Sequence, residues 1–238
     1  MKRYTEKLFE EVCVEKDVLY STVPGFDDAH TLTKLHFDVY APVGDTESGR
    51  RVVILVHGGG FWGGDKQQNY IVILGNLLAR YGYVCFALDY RLFSRDNKPK
   101  YPTAAPYAAM DIEAARQFIA ANADRFGIDP EKIAVSGGSA GGMGCVEACR
   151  MHPEYTAFVC LWGAYEGVVV PGRYPPTIVI HGTADKSVPF ANGEAFFARL
   201  QEKGIPAEMV PLADAPHTAI KWLPEFEEKM IRFLDTHA

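Results

Sequence analysis

The chain lacks a recognisable cysteine-pairing motif. Five cysteines occur among 238 residues, an odd number without a C-x-x-C pair, so they cannot all form disulfides within one chain. Cys145 and Cys149, which share a predicted helix, are expected to pack in the core rather than to bind a metal. The thiols therefore indicate a reducing compartment.

The sequence also lacks an apolar signal core near its N-terminus and any apolar run long enough to cross a bilayer. We therefore expect a cytoplasmic protein; a secreted chain whose signal peptide has been removed is the alternative. Acidic residues (30) outnumber basic residues (24), for a formal charge of −6, and the basic residues form no run. Attraction to nucleic acid or to an anionic membrane is therefore not expected, and small neutral molecules are the expected partners.

No internal repeat or low-complexity segment interrupts the chain, and its length suits one α/β domain over residues 1–238. Two N-terminal segments look like antiparallel strands, and alternating polar and apolar residues at 34–39 suggest that the second is a half-exposed edge strand. The later strands are nearly continuous apolar runs, which is typical of parallel strands covered on both faces. The predicted strands lie near 11–19, 31–40, 52–56, 83–88, 132–136, 157–162, 177–180 and 207–212. The predicted helices lie near 69–80, 105–121, 140–150, 190–203 and 224–237.

A glycine-rich turn is the strongest candidate for chemistry. The motif GGSAG at 137–141 directly follows an apolar run and directly precedes a helical stretch. Such a strand–turn–helix context exposes a serine hydroxyl on a tight turn, where a neighbouring base can deprotonate it as it attacks. Ser139 is therefore the candidate nucleophile, although small residues around a serine also occur in ordinary turns.

A second glycine motif supports this interpretation. The motif HGGG at 57–60 follows another apolar run. Glycines let the backbone approach an acyl carbonyl group, and preset N–H groups stabilise the negative charge that attack places on its oxygen. The expected donors of this oxyanion hole are the amides of Gly59, Gly60 and Ala140. His57 is expected to orient the loop through hydrogen bonds rather than to act as the base.

The chain order nucleophile, acid, base identifies the remaining candidates. The predicted strand at 177–180 is followed by the motif HGTAD, whose Asp185 is the candidate acid. His217 lies in a loop before the last predicted helix and is the candidate base. The separations between the three residues each leave room for a strand–helix–strand crossover, so adjacent strand ends can bring them together.

Each of these assignments has a competitor. Asp185 could merely cap a turn, and Asp214 is an alternative acid, although it shares a loop with His217 and would have to fold back to reach it. His181 is the main rival base, but it precedes the acid, which is the wrong order for this arrangement.

Together these residues resemble the α/β-hydrolase superfamily, and within it the small esterases related to hormone-sensitive lipase and to acetyl xylan and feruloyl esterases. The resemblance spans most of the chain. It is carried by HGGGFWGGD at 57–65, DYRL at 89–92, GIDP at 127–130, GGSAGG at 137–142 and HGTAD at 181–185. It implies an α/β-hydrolase fold, in which a mostly parallel eight-stranded sheet carries helices on both faces.

The chain departs from these relatives at several positions. Gly138 stands where relatives of hormone-sensitive lipase commonly carry Asp or Glu, and Ala140 stands where prolyl-oligopeptidase relatives usually carry Tyr. Thr218 follows the candidate base, where the family often has Gly. The link at 163–176, where many relatives insert a lid, is short and contains Gly and Pro, so no large cap is expected.

Aromatic residues at or just beyond predicted strand ends are candidates for the walls of a substrate pocket. They are Phe61, Trp62, Trp162 and Tyr165, each of which could instead pack in the core. The polar loop at 93–102 either borders the entrance of the site or forms an inert surface loop.

The motifs and the resemblance lead to a specific functional hypothesis. Ser139 attacks a short-acyl ester, Asp185 orients His217, and water releases the resulting acyl-enzyme. On the resemblance alone, an acetylated carbohydrate is the favoured substrate. An aryl formamidase-type amidase is the enzymatic alternative, and a non-catalytic ligand receptor of the same fold is a third hypothesis. No metal and no organic cofactor are implied.

Overall fold

The structure, a computed structural model that describes residues 2–26, 30–97 and 103–238, contains one sheet of eight strands. The strands are β1 (Val12–Pro24), β2 (Leu32–Pro42), β3 (Arg50–Val56), β4 (Val84–Leu88), β5 (Ile128–Gly138), β6 (Phe158–Leu161), β7 (Thr177–Gly182) and β8 (Ala207–Leu212). Their spatial order is β1-β2-β4-β3-β5-β6-β7-β8. β2 is antiparallel to both β1 and β4, and the other neighbouring pairs are parallel. The predicted sheet of eight mostly parallel strands is confirmed.

Six α-helices flank this sheet in the described part of the chain. They are α1 (Asn69–Arg80), α2 (Ala105–Ala121), α3 (Ala123–Phe126), α4 (Ala140–Met151), α5 (Phe190–Glu202) and α6 (Leu223–His237). Buried residues of α2, α4 and α5 share one hydrophobic cluster, and those of α1 and α6 share another. Helices therefore cover both faces of the sheet, as predicted. Within the described ranges, none of the helices is both long and apolar enough to span a membrane.

This layered arrangement explains why β3 is a continuous apolar run. Successive side chains of a strand point to opposite faces of the sheet. Val52, Ile54 and Val56 belong to the cluster under α2 and α4, whereas Val53 and Leu55 belong to the cluster under α1 and α6. Because both faces are covered, every position from 52 to 56 is buried.

The second strand is not an edge strand, so the prediction drawn from its alternating pattern is wrong. β2 lies between β1 and β4, and β1 forms this edge of the sheet. Asp38 is fully buried; its Oδ1 accepts the Asp17 N–H at 2.9 Å and lies 3.8 Å from Lys66 Nζ. At this position the polar side chain has partners inside the protein and does not mark a solvent-facing side.

Several boundaries also differ from those expected. β1 continues to Pro24, which pairs with Leu32, and β5 begins at Ile128, which pairs with Arg50. Helix α3 and a 3₁₀ helix at Ile220–Trp222 are not evident in the sequence. Both are too short to show a helical period of apolar residues.

The parallel strands end together at one edge of the sheet. Val56 at the end of β3 is level with Gly137 near the end of β5, and Gly182 at the end of β7 is level with Leu212 at the end of β8. The segments that follow these strands therefore lie along one edge. Open α/β sheets place their ligand sites at this carboxyl edge.

Helix α4 lies very close to the ends of β3 and β5. A Cβ atom on Gly141 would lie 2.3 Å from the carbonyl oxygen of Val56 and 2.4 Å from that of His57. A Cβ on Gly142 would lie 2.8 Å from the carbonyl oxygen of Gly137. Glycine permits this approach because it has no side chain, so the N-terminus of α4 rests directly against two strands.

We expect Gly141→Ala to destabilise the protein by about 2–3 kcal/mol, because the added methyl group overpacks a contact with backbone atoms. At an ordinary helical position the same change stabilises by up to ~1 kcal/mol. Urea unfolding followed by circular dichroism measures the effect. Gly172→Ala is the matched control, since nothing lies within 4 Å of its added Cβ, and it should change the free energy of unfolding by less than about 0.5 kcal/mol. An unchanged Gly141→Ala variant would contradict the packing argument.

Candidate active site

Ser139 stands on the sharp turn between β5 and α4. Its backbone is left-handed, with φ of 55° and ψ of −126°, a conformation that few residues other than glycine adopt. The flanking glycines make the turn possible, since a Cβ on Gly137 would lie 2.6 Å from the carbonyl carbon of Gly141. A Cβ on Gly138 would lie 2.8 Å from the hydroxyl oxygen of Tyr70. The strand–turn–helix context predicted for Ser139 is present.

Ser139, His217 and Asp185 form a continuous chain of hydrogen bonds. The Ser139 Oγ lies 2.9 Å from His217 Nε2, and His217 Nδ1 lies 2.7 Å from Asp185 Oδ2. A carboxylate only accepts hydrogen bonds, so the His217 proton is on Nδ1 and Nε2 is free to accept from the serine hydroxyl. The arrangement can therefore take a proton from Ser139 as its oxygen attacks.

The Asp185 carboxylate is fully removed from solvent, and its charge is compensated by donors. Its Oδ1 accepts the backbone N–H groups of Ser187 at 2.8 Å and Val188 at 2.9 Å. The His217 side chain is 22% exposed to solvent, whereas the Asp185 side chain is fully buried. Hydrogen bonds to both oxygens thus fix the buried Asp185 carboxylate, while the His217 imidazole lines the cleft.

The rival acid and base, Asp214 and His181, have other hydrogen-bond partners. Asp214 is exposed, and its backbone N–H donates to Thr183 Oγ1 at 2.9 Å. His181 is completely buried, and its Nε2 lies 2.9 Å from the Val188 carbonyl oxygen. Burial lowers the pKa of His181, so this ring is neutral at physiological pH. The structure therefore links the candidate acid Asp185 and the candidate base His217 to Ser139 through hydrogen bonds.

The loop at 57–60 follows β3 and lies against the turn at Ser139. A Cβ on Gly58 would lie 3.1 Å from the Cβ of Ser139, so the two backbones are in close contact. Gly59 and Gly60 have φ values of 118° and 66°, and both line the cleft beside Ser139. Ala140 is the first residue of α4, and the first amides of a helix have no intrahelical acceptor. The amides expected to form the oxyanion hole thus flank the candidate nucleophile.

His57 holds this loop through hydrogen bonds and ring stacking. Its Nδ1 lies 2.6 Å from the Gly58 carbonyl oxygen, and its ring stacks on Tyr90 with the centroids 4.4 Å apart. The Tyr90 hydroxyl donates to the His57 carbonyl oxygen at 3.0 Å. Burial lowers the pKa of His57, which favours the neutral ring. Its surroundings agree with the orienting role predicted from the sequence.

The cleft at Ser139 is small, with a volume of about 310 Å³. It is lined by Gly58, Gly59, Gly60, Gln68, Tyr70, Ser139, Ser187, His217 and Thr218. Sequence analysis does not identify Gln68, Tyr70 or Ser187. The Gln68 side chain accepts the Gly58 N–H at 3.0 Å, and the Tyr70 hydroxyl donates to the Val56 carbonyl oxygen at 3.1 Å. Both side chains line the cleft, and their contacts with the loop and with β3 do not appear as a local sequence pattern.

Two of the aromatic residues predicted as pocket walls lie in the core instead. Phe61 and Trp162 are 1% and 0% exposed. Trp162 packs edge-on against Tyr70, with the ring centroids 5.8 Å apart, below Gly138. A large aromatic ring removes more apolar surface from water when it packs in the core than when it lines an open cleft. The prediction that Phe61 and Trp162 form pocket walls is therefore wrong. Trp62 is half-buried, and the Arg95 guanidinium group lies over its ring, 4.4 Å from the ring centroid. Trp62 is not among the residues that line the cleft.

A second cavity of about 360 Å³ adjoins the cleft and shares Ser187 with it. It is lined by Met143, Tyr165, Glu166, Ser187, Val188, Pro189 and Asn192. Tyr165 therefore does border a cavity, and its hydroxyl bonds to the Glu147 carboxylate. Residues 163–176, which border this side, form turns and no helix.

Two further predictions concern the surroundings of the site. In the loop at 93–102, Phe93 N–H donates to the Phe61 carbonyl oxygen at 2.9 Å, so the loop starts beside the glycine motif. Residues 98–102 lie outside the described residues. Within the ranges that the structure describes, no group of three or more His, Cys, Asp and Glu side chains is arranged to hold a metal ion.

Comparisons with known proteins identify esterases among the relatives. Residues 37–148 match the BD-FAE family, and residues 161–238 match the prolyl oligopeptidase family. Esterase LipC of Mycobacterium tuberculosis is 37% identical over 201 residues, which cover 63% of this chain and 48% of LipC. Arylacetamide deacetylase of Bos taurus is 29% identical over 136 residues, which cover 52% of this chain and 32% of that protein. The chain thus spans about half or less of the length of these curated relatives.

Solved structures resemble the chain over nearly its whole length. Thermogutta terrifontis esterase 2 phosphonylated by cyclosarin has a TM-score of 0.72 and 25% sequence identity, covering 94% of this chain and 96% of that chain. The same esterase phosphorylated by paraoxon gives a TM-score of 0.71 at 25% identity, covering 94% and 95%. The overall fold of the chain is therefore similar to that of this esterase.

We expect Thr218→Gly to stabilise the protein by about 0.5–1 kcal/mol. Thr218 has a φ of 58°, a conformation that costs a residue with a Cβ roughly 1–2 kcal/mol, and the extra backbone entropy of glycine offsets only part of the gain. Thr218→Ala is the matched control, because it keeps the Cβ and should show no such gain. Urea unfolding compares the variants with the wild-type chain, and a glycine variant no more stable than the alanine variant would refute the strain argument.

Proposed function

The chain belongs to the α/β-hydrolase superfamily, and from this premise we propose that it is a serine hydrolase that cleaves carboxylic esters. The observation that carries the proposal is the continuous hydrogen-bonded chain from Ser139 through His217 to the buried Asp185. The relatives named as esterases support the same reaction class. A ligand receptor would need neither an activated serine nor preset amides beside it.

The proposed reaction proceeds in two halves through an acyl-enzyme. Ser139 Oγ attacks the acyl carbon while its proton passes to His217 Nε2, and Asp185 stabilises the imidazolium that forms. The amides of Gly59, Gly60 and Ala140 bind the oxyanion of the tetrahedral intermediate. The intermediate collapses, and His217 returns the proton to the departing alcohol. Water then attacks the acyl-enzyme by the same route, which releases the acid and regenerates Ser139.

We propose that the acyl group is short. The cleft at Ser139 holds only about 310 Å³, and the segment at 163–176 has no helix to cover a longer chain. A methylene group that stays in water gains little of the ~0.8 kcal/mol that full burial provides. The name of the deacetylase among the relatives supports an acetyl group as one such acyl group.

We propose a hydroxyl-rich alcohol, such as an acetylated carbohydrate, for the other half of the substrate. The adjoining cavity of about 360 Å³ gives room for it next to the cleft. Its floor is formed by buried Tyr165 and Val188, and its rim carries the polar side chains of Glu166, Ser187 and Asn192. An apolar floor with a polar rim suits a sugar ring, whose faces are apolar and whose edges carry hydroxyl groups.

An aryl amidase is the second candidate. The Bos taurus relative is named for an arylacetamide substrate, and His217 could protonate an amine as well as an alcohol leaving group. Comparison of an aryl acetate with the corresponding N-formyl and N-acetyl arylamines separates the two activities. A kcat/KM for either amide above that for the ester would favour the amidase.

We expect Ser139→Ala and His217→Ala each to lower ester hydrolysis by at least ~10³-fold, because the members of a triad act as a unit. Asp185→Asn should cost somewhat less. Steady-state rates with p-nitrophenyl acetate, together with circular dichroism, measure activity and folding. Ser48→Ala, at an exposed serine before β3, is the control and should keep wild-type rates. Wild-type activity in a folded Ser139→Ala variant would refute the assignment.

A fluorophosphonate should label wild-type protein at Ser139 and leave Ser139→Ala unlabelled. Thermogutta terrifontis esterase 2 has been captured as a phosphonylated protein, which supports the use of this probe. A folded wild-type chain that takes up no label would favour the non-catalytic receptor.

We expect kcat/KM for p-nitrophenyl esters to be highest for acyl chains of two to four carbons. A buried acyl tunnel would raise kcat/KM about fourfold for each added methylene group, whereas the small cleft should give no such rise. The series from C2 to C12 keeps the leaving group constant and so isolates the acyl side. Acetylated xylo-oligosaccharide and methyl ferulate, assayed in parallel, test the alcohol and acid sides. A maximum at C8 or longer would contradict the open cleft.

A further inference from the structure

The buried Asp185 carboxylate contacts two imidazole rings. Its Oδ2 accepts the His217 Nδ1–H at 2.7 Å and lies 3.3 Å from the Nε2 of His181. Its Oδ1 is occupied by the N–H groups of Ser187 and Val188. The proposed reaction assigns a role to His217 and none to His181.

The surroundings of His181 determine which of its nitrogens carries the proton. Nε2 faces two acceptors, the Val188 carbonyl oxygen at 2.9 Å and Asp185 Oδ2 at 3.3 Å, so Nε2 is protonated. Nδ1 is buried and has no hydrogen-bond partner among the residues that the structure describes. A second proton on Nδ1 would be a buried, unpaired donor. His181 is thus a neutral ring with one donor.

His181 is held rigidly and in turn holds the turn at 185–188. Phe190 meets its ring edge-on with the centroids 5.7 Å apart, and a Cβ on Gly193 would lie 2.7 Å from Nδ1. The Val188 N–H donates to Asp185 Oδ1, and the Val188 carbonyl oxygen accepts the His181 Nε2–H. One ring therefore restrains the carboxylate both directly and through the backbone of the turn.

We propose that His181 is a positioning residue, whose Nε2–H aims the Asp185 carboxylate at His217. This inference rests on the proposed function, because it assigns His181 to the same reaction. The carboxylate keeps His217 in the tautomer and orientation in which Nε2 accepts the Ser139 proton. Without the His181 donor the carboxylate loses one contact and the turn loses a restraint, so His217 occupies the reactive orientation less often.

The first test compares two substitutions of similar size. Gln keeps an N–H donor close to the position of Nε2, whereas Met has none. We expect His181→Met to lower kcat for p-nitrophenyl acetate by roughly 10- to 100-fold with KM nearly unchanged, because the carboxylate loses its contact at 3.3 Å and the turn loses the bond to the Val188 carbonyl oxygen. His181→Gln should remain within about threefold of wild type. Circular dichroism and the final fraction of chains labelled by a fluorophosphonate correct both rates for unfolded protein.

A double-mutant cycle tests whether His181 acts through Asp185. In the Asp185→Ala background there is no carboxylate to aim, so adding His181→Met should change the rate of fluorophosphonate labelling at Ser139 by less than about twofold. An equal loss in both backgrounds would overturn the proposal, as would a His181→Gln variant as impaired as His181→Met. If His181→Met does not fold, Gly193→Ala, whose Cβ presses on Nδ1, enters the same cycle with the same expectation.

Failure of the proposed function would look different. A folded wild-type chain that neither hydrolyses esters nor reacts with a fluorophosphonate would refute the hydrolase assignment before any variant is compared. The downfield ¹H NMR resonance of the His217 Nδ1 proton, which reports its hydrogen bond to Asp185, would then still test the positioning. It should shift or disappear in His181→Met and persist in His181→Gln; an unchanged resonance in His181→Met would overturn the proposal.

Discussion

The close contact between the N-terminus of α4 and the ends of β3 and β5 is the constraint on which the site depends. Gly141 lacks the Cβ that would strike the carbonyl oxygens of Val56 and His57, so the helix begins against the strand ends. The chain must then reverse at Ser139 within one residue, which explains its φ of 55°. Such a left-handed residue costs roughly 1–2 kcal/mol, and the packing of α4 on the sheet offsets this strain. The result is a serine side chain that projects from the turn towards His217.

Buried charge imposes the second requirement on the site. A carboxylate without solvent is costly unless its oxygens are hydrogen-bonded, and Asp185 satisfies this with the two amides of its own turn and with His217. Because these donors come from one rigid turn and a neighbouring loop, the carboxylate has little freedom to rotate. The same hydrogen bonds therefore stabilise the buried charge and orient the carboxylate. The positioning role that we propose for His181 relies on this arrangement, since its Nε2 lies 3.3 Å from Oδ2.

The sequence was sufficient to predict the sheet, the helical layers and the three residues that the structure links by hydrogen bonds. These residues follow strand ends, and apolar runs and glycine turns mark strand ends locally. Sequence patterns failed where side-chain partners decide the outcome. The alternation in β2 does not reveal that Asp38 is buried beside Lys66, and the motif around Trp162 does not reveal that its ring packs on Tyr70 in the core. Such contacts join residues far apart in the chain, and a single sequence does not encode them as a local pattern.

The loop at 57–60 shows why residues that never meet a substrate belong to the proposed mechanism. Stabilisation of an oxyanion depends on donors that are already in place, because donors that must first reorganise lose much of their effect. The Gln68 side-chain oxygen accepts the Gly58 N–H. The next two amides, those of Gly59 and Gly60, are therefore the donors proposed for the cleft. Tyr90 holds the loop at the His57 carbonyl oxygen, in the segment at 89–92 that contributes to the family resemblance. The side chains that select and hold the amides are therefore as much a requirement for the oxyanion hole as the glycines themselves.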